Sequence, residues 1–267
     1  MLKILQRLWC YLTEALFCLR AGRSVRDKLV LLQETAVFHL KHNRPGGRID
    51  TEVRLSKLTP HLKMRTYGGD IFIFHEVLSA QVYRIDSACL LRSPRVIMDL
   101  GANIGLTTLL LAEQFPESRI VCVEPHPENA ELLRHNLLCL GTRAQIIQAA
   151  VADRSGKMFL SFAVEHYNAS LVRDGTEGTE VCVMTVEEVM KVAGVERIDI
   201  LKMDIEGAEK LILPGRPKWL CEVEILLAEL HGHGQDRMVE DMKAAGLVVN
   251  LNGSQVSAFR SRPESCN

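Results

Sequence analysis

From Arg95 onward the apolar positions come in short strand-like runs, each followed by a longer stretch in which apolar residues recur every three or four places. "RVIMDL" (95–100) predicts a strand and leads to a helix over 104–115 that Pro116 ends. "RIVCVE" predicts a second strand, "PENAELLRHNLLCLG" a helix ended by Gly141, and "AQIIQAAVA" a third strand. "MFLSFAV" (158–164) and "TEVCVMTV" (179–186) predict a hairpin-like excursion. The alternation then resumes with a helix at "VEEVMKVAG", a strand at "IDILKMDI" (198–205), a helix from Glu206 and a strand at "EVEILLAEL" (222–230). Strands alternating with helices imply right-handed crossovers and a parallel sheet.

The pattern changes at the end. A helix over "QDRMVEDMKAAG" precedes "LVVNLNGSQVSAF", where Asn252-Gly253 between two apolar runs predicts a tight hairpin. The last strand therefore runs antiparallel, and the expected fold class is α/β: a Rossmann-like, mostly parallel seven-strand sheet with a C-terminal antiparallel hairpin strand. Upstream, Leu5, Leu8, Leu12, Ala15, Leu16 and Leu19 fall at helical spacing, interrupted by Arg7 and Glu14. The uncharged run is too short to span a bilayer, so an amphipathic helix is expected, packed on its own domain or docked on a membrane surface; the former is the expected use. "HNRPGGRID" (42–50) reads as a linker, and "IFIF" within "YGGDIFIFHEVL" (67–78) as a strand, part of a lid. The expected organisation is a basic helical segment and linker over 1–66, a domain over 67–260 and a disordered tail over 261–267.

Composition adds two facts. The 267 residues suffice for one large α/β domain with an added segment, and the net charge of -1 conceals thirteen Lys/Arg against five Asp/Glu in residues 1–68. That +8 segment is either a solvated face or a contact for a membrane surface or another anionic ligand; with few aromatics to stack on bases, nucleic acid ranks last. The eight cysteines form no CxxC pair, most lie in apolar runs, and they read as reduced core residues. With no export signal, the cytoplasm is the expected compartment, with membrane association through the basic segment as the variant.

"IMDLGANIGLTTLLLA" (97–112) is a strand that breaks at glycine and restarts as a helix, a geometry that exposes backbone N–H groups to a nucleotide-bearing ligand. Asp99, Gly101, Asn103 and Gly105 mark the turn. The dinucleotide fingerprint needs a second glycine that is missing here, and Asp99 would repel a pyrophosphate while suiting the ammonium end of S-adenosylmethionine. Glu124, at the end of the second strand, can accept two ribose hydroxyls in either cofactor. Asp153 in "AVADRSG" is either an acceptor for the adenine amino group or a turn residue. S-adenosylmethionine is the expected cofactor. A nicotinamide-dependent oxidoreductase and a non-catalytic binding module are the alternatives.

"VIMDLGANIGLTTLLLA", "VEPHPENAELLRHNL", "AAVADRSGK", "IDILKMDIEGAEKLIL" and "LLAELHG" resemble, in order, the successive motifs of the FkbM-type methyltransferases. The resemblance covers about residues 67–260, with "KMDIEGAE" its most specific block. It implies a class I methyltransferase fold and methyl transfer to a hydroxyl oxygen, with carbohydrates, glycans and other hydroxylated metabolites among the acceptors.

An alcohol needs a base, or a metal that lowers its pKa, near the carboxyl ends of the fourth and fifth strands. Asp204 and Glu206 lie at one end, Glu229 and His231 at the other. Asp204, Glu229 and His231 are the expected catalytic residues. Two arrangements stay open: His231 or Asp204 acts as the base, or Asp204, Glu229 and His231 bind Mn²⁺ or Mg²⁺. Asp204 and Glu206 can alternatively cap the following helix.

Overall fold

A computed structural model describes residues 2–40, 50–55, 61–65, 69–86, 90, 92–162, 169–172, 178–215 and 217–260. The expected linker and C-terminal tail lie outside these, except for Asp50, as do Cys89 and Cys266. The chain opens with two helices, α1 (Leu2–Ala21) and α2 (Val25–Leu40), and an antiparallel strand pair, β1 (Asp50–Val53) and β2 (Leu62–Arg65).

Next comes α3 (Asp70–Phe74), which runs directly into a π-helical turn, His75–Ser79. The expected "IFIF" strand is thus helical. Ile71, Phe74 and Leu78 are buried at i, i+3 and i+7, while Phe72 between them is 43% exposed. A four-residue apolar run is too short to separate the two periods by itself. His75 ties this turn to the N-terminal helices. The Thr35 hydroxyl donates to the Leu31 carbonyl, so the 2.8 Å bond between Thr35 and His75 uses the Nε2–H of the ring. Burial pushes the pKa of His75 down to about 4, keeping it neutral.

The domain that follows is built on β3 (Val96–Leu100), α4 (Leu106–Gln114), β4 (Arg119–Val123), α5 (Pro127–Asn136) and β5 (Ala144–Ile147). After an excursion, α6 (Val186–Ala193), β10 (Ile198–Met203), α7 (Glu209–Ile212), β11 (Val223–Glu229), α8 (Gln235–Ala244), β12 (Leu247–Asn252) and β13 (Gln255–Arg260) complete it. The seven-stranded sheet has the order β12-β13-β11-β10-β3-β4-β5, with β13 antiparallel to both neighbours and the other pairings parallel. This is the expected plan, a class I methyltransferase fold. The terminal loop is Gly253-Ser254, one residue later than the sequence suggests, because Asn252 still pairs with Gln255.

The strands are apolar on both faces because helices cover both. Ile97, Ile120 and Cys122 join one core with α4, α5 and the N-terminal segment; Met98, Leu100, Val121 and Val123 point the other way, into a core with α6 and α8. The first core is continuous across residue 66. The excursion is a second sheet, β6 (Ala150–Val151), β7 (Gly156–Phe162), β8 (Ala169–Val172) and β9 (Thr179–Met184), in the order β6-β9-β7-β8. The two expected strands, β7 and β9, do pair antiparallel, but β8 intervenes in the chain and pairs on the other edge of β7, and the sheet also takes the end of "AQIIQAAVA" away from β5.

Two expectations about side-chain placement change. Among the described cysteines only Cys18 and Cys122 are buried; Cys10, Cys139, Cys182 and Cys221 are exposed. On α1, Leu12, Leu16 and Leu19 face solvent, and the helix packs instead through the side that carries Cys18. Among the described residues no helix is long and apolar enough to cross a membrane.

Candidate active site

The register of the sheet sets Lys202 of β10 beside Asp99 of β3. Lys202 Nζ lies 3.2 Å from Asp99 Oδ1 and donates to the Gly101 carbonyl at 2.7 Å, while Thr108 Oγ1 donates to Asp99 Oδ2 at 2.6 Å. Burial alone would lower the lysine pKa, but the charges of Asp99 and Asp204 outweigh it and hold it above the ordinary value. Asp99 is fully buried and absent from the cleft wall. In this position it holds the lysine that holds the turn.

The turn itself is left-handed at Gly101, Asn103 and Gly105, with φ of 76°, 49° and 93°. A Cβ at Gly101 would lie 1.8 Å from the Asp204 carbonyl oxygen, so the turn rests directly on the backbone leaving β10. Gly105 opens α4 and leaves room for Leu133, whose Cδ1 would be 2.8 Å from an added Cβ.

This turn borders a cleft of about 340 Å³ at the carboxyl edge of the sheet. Glu124 faces it, 4% exposed. Its Oε2 accepts from the Asn103 N–H at 2.8 Å, and its Oε1 from the His126 N–H at 2.9 Å and Asn129 Nδ2 at 3.1 Å. Burial raises the pKa of Glu124, and these three donors pull against that rise. A carboxylate held this way presents its remaining lone pairs in one direction, as a ribose diol requires. Glu124→Ala is expected to weaken S-adenosylhomocysteine binding by about 1.5–3 kcal/mol in calorimetry. Ala149, Ala150 and Val151 form an apolar wall beyond it. Asp153 is exposed on the turn between β6 and β7 and does not line the cleft.

The same cleft wall holds Asp204, Glu206, Glu229 and His231. β10 stops at Met203, and Glu206 enters the cleft through a left-handed conformation, φ 52°, instead of by strand alternation. Asp204 Oδ2 accepts from the Tyr83 hydroxyl at 3.2 Å, while its Oδ1 is buried with no hydrogen-bond partner. His231 lies 3.7 Å from Glu206, 3.8 Å from Glu229 and 3.3 Å from Glu209. The Glu209 bond and the surrounding carboxylates raise the pKa of His231 to about 9, against the opposing pull of burial. The imidazole is therefore protonated near neutral pH and acts as a donor, not as a ready base. Burial and the charge of Asp204 push Glu206 up to about 7.

Three residues of this site are not among the expected ones, although Glu209 closes the "KMDIEGAE" block. Glu209 on α7 is fully buried; its Oε1 accepts from the Ile205 N–H at 3.0 Å, and its Oε2 has no hydrogen-bond partner. Ligand atoms of Asp204, Glu209 and His231 lie within 4.8 Å of one another, so the set with metal-binding geometry contains Glu209 in the place expected for Glu229. Glu229 instead accepts from Ser254 Oγ at 3.1 Å. Glu76 and Tyr83 reach the cleft from the turn that follows α3, so the segment expected to be a lid does form one wall. Burial and the charges of Glu229 and Asp204 raise the Glu76 pKa.

The family model described as "Methyltransferase FkbM domain" matches residues 99–248. The chain belongs to this family. The match runs from Asp99, on the strand that leads into the glycine turn, to Val248 in β12. Among curated proteins the chain is similar to the AMB antimetabolite synthetase AmbE of Pseudomonas aeruginosa, 25% identical over 226 residues, which cover 70% of this chain and 11% of that much longer protein. It is similar to methyltransferase sdnD of Sordaria araneosa, 26% identical over 54% of this chain and 68% of that one. It is likewise similar to the 2-O-methyltransferase NoeI of Sinorhizobium fredii, 26% identical over 57% of this chain and 69% of that one.

Proposed function

We propose that this chain is an S-adenosylmethionine-dependent O-methyltransferase whose acceptor is a hydroxyl of a carbohydrate, glycan or other hydroxylated metabolite. The observation that carries the reading is Asp204: a carboxylate with one oxygen unpartnered, in the same cleft as Glu124 and beside the glycine turn. The name of NoeI, a 2-O-methyltransferase, supports oxygen as the acceptor atom. Glu124 would hold the ribose, the Gly101–Gly105 turn the amino-acid end, and the wall of Ala149–Val151 the adenine. The cofactor supplies an activated methyl group for in-line displacement. This chain's residues orient the hydroxyl and take its proton.

Asp204 is the proton acceptor in this reading. Tyr83 donates to Asp204 and the protonated His231 to Glu209, and these bonds orient the two carboxylates. A second reading has a specific observation behind it: Asp204 and Glu209 each keep a buried, unpartnered oxygen in a cluster with His231 whose ligand atoms lie within 4.8 Å of one another, which suits a divalent cation that would displace the imidazole proton. Such a cation would act as a Lewis acid that lowers the pKa of the acceptor hydroxyl.

The test is transfer of a labelled methyl group from S-adenosylmethionine into a panel of hydroxylated acceptors, with and without EDTA. Label in an O-methyl product is expected. Binding of NADH without binding of S-adenosylhomocysteine would overturn the reading. Activity that survives EDTA assigns the proton to Asp204 alone; loss that Mn²⁺ or Mg²⁺ restores assigns the metal reading.

A further inference from the structure

The outer face of α1 takes no part in the cleft. Trp9, Leu12, Leu16 and Leu19 are 71%, 54%, 53% and 45% exposed. At the helical rotation of about 100° per residue these four positions fall within an arc of roughly 80°. The other side of the helix is the one that packs: Cys18 is buried, and Glu14 bonds His39 at 2.6 Å. A continuous apolar row facing water is a feature that a covering surface must explain.

Charge says what covers it. The acids among residues 1–33 are Glu14 and Asp27. Glu14 is turned toward His39, and Asp27 is fully buried, accepting from the Ser24 N–H and hydroxyl and pairing with Arg54 at 3.5 Å. Arg23 and Arg26, by contrast, are exposed where α1 gives way to α2. The exposed side chains from Trp9 to Arg26 are thus apolar, uncharged or basic, with no acid among them. An isologous pairing would lay that surface against a copy of itself with no acid to meet the arginines, whereas anionic headgroups supply the missing charge.

We propose that α1 docks this face on an anionic phospholipid bilayer. The helix lies in the plane of the headgroups, its Trp9–Leu19 row enters the acyl boundary, and Arg23 and Arg26 meet lipid phosphates. It is an interfacial contact, not a span.

The chain offers its own reporter. Of its two tryptophans, Trp9 is exposed and Trp219 is 3% exposed. The full chain is expected to co-sediment with phosphatidylcholine vesicles containing about 30% phosphatidylserine, with a blue-shifted tryptophan emission that Trp9→Phe abolishes. Binding should drop severalfold when salt is raised to about 0.5 M, and it should be weak on pure phosphatidylcholine. The double substitution Leu12→Glu, Leu16→Glu should cut the bound fraction about tenfold or more, with S-adenosylhomocysteine affinity and melting temperature unchanged, since both leucines face solvent. Absence of vesicle binding, or a double variant that binds like wild type, overturns the proposal. So does a dimer in sedimentation equilibrium that the same two substitutions disperse, which would make the face a self-interface.

Discussion

Asp204→Asn lowers turnover by about a hundredfold or more while S-adenosylhomocysteine affinity stays within about twofold. Asparagine keeps the shape of the side chain and can still accept from the Tyr83 hydroxyl, so the wall of the cleft is preserved. What disappears is the charge on the oxygen that has no partner in the protein. In this reading the cofactor end is held by Glu124 and the glycine turn, and the turn rests on the Asp204 backbone carbonyl, which asparagine keeps; a separation of turnover from binding is therefore the signature of a proton acceptor. Under the metal reading the same variant also needs more Mn²⁺ or Mg²⁺ to reach its residual rate. The measurement is a steady-state assay beside calorimetry on the same preparations. Turnover near wild type would make the cluster structural and remove Asp204 from the chemistry.

The expected direction for His231 is less obvious from composition than from surroundings. A histidine at a strand end reads as a base, because its ordinary pKa lies near neutrality. Glu206, Glu209 and Glu229 around it reverse that assignment by holding the proton on the ring. Two of these neighbours were visible as nearby acids; Glu209, the last residue of the "KMDIEGAE" block, was not singled out as one. It stands on a four-residue helix in "GAEKLIL" and looks like any solvent-facing glutamate until the fold buries it.

The same distinction runs through the rest of the molecule. The alternation of strands with helices and the reversed last strand were legible because they rest on local signals, apolar periodicity, glycine at a turn and a two-residue hairpin, that need no partner to be read. The glycine turn and Glu124 sit where their spacing implied. The pairing of Asp99 with Lys202 was not legible, because that lysine is over a hundred residues away and becomes a neighbour only through the register of β10 on β3. Asp153 is in a turn whose direction depends on β6 leaving the main sheet for β9, which an apolar run cannot announce. On α1, periodicity establishes that a stripe exists and says nothing of which side meets the core. "IFIF" fails for a related reason: burial at i, i+3 and i+7 is spread over residues beyond the run itself.

Gly101→Ala is expected to cost about 3–5 kcal/mol of stability, a fall of about 10 °C or more in melting temperature, together with most of the cofactor affinity. Two costs add. A left-handed backbone at φ 76° charges an L residue about 1 kcal/mol wherever it occurs. The larger part comes from the Cβ, which would stand 1.8 Å from the Asp204 carbonyl oxygen, a backbone atom that no rotamer change can move. Relief requires the ends of β3 and β10 to separate. That strains the Asp204 N–H bond to the Leu100 carbonyl at 3.1 Å, the paired bonds from Gly101 and Ala102 to the Val123 carbonyl at 2.9 and 3.0 Å, and the Lys202 bond to the Gly101 carbonyl at 2.7 Å. Gly194→Ala separates the two costs, because Gly194 has φ 65° at the end of α6 and open space where its Cβ would go. It should lose only the backbone share, about 1 kcal/mol, in the same thermal and urea melts. Equal losses in the two variants would mean that the approach of the turn to Asp204 contributes nothing, and the glycine would then be required for its φ alone.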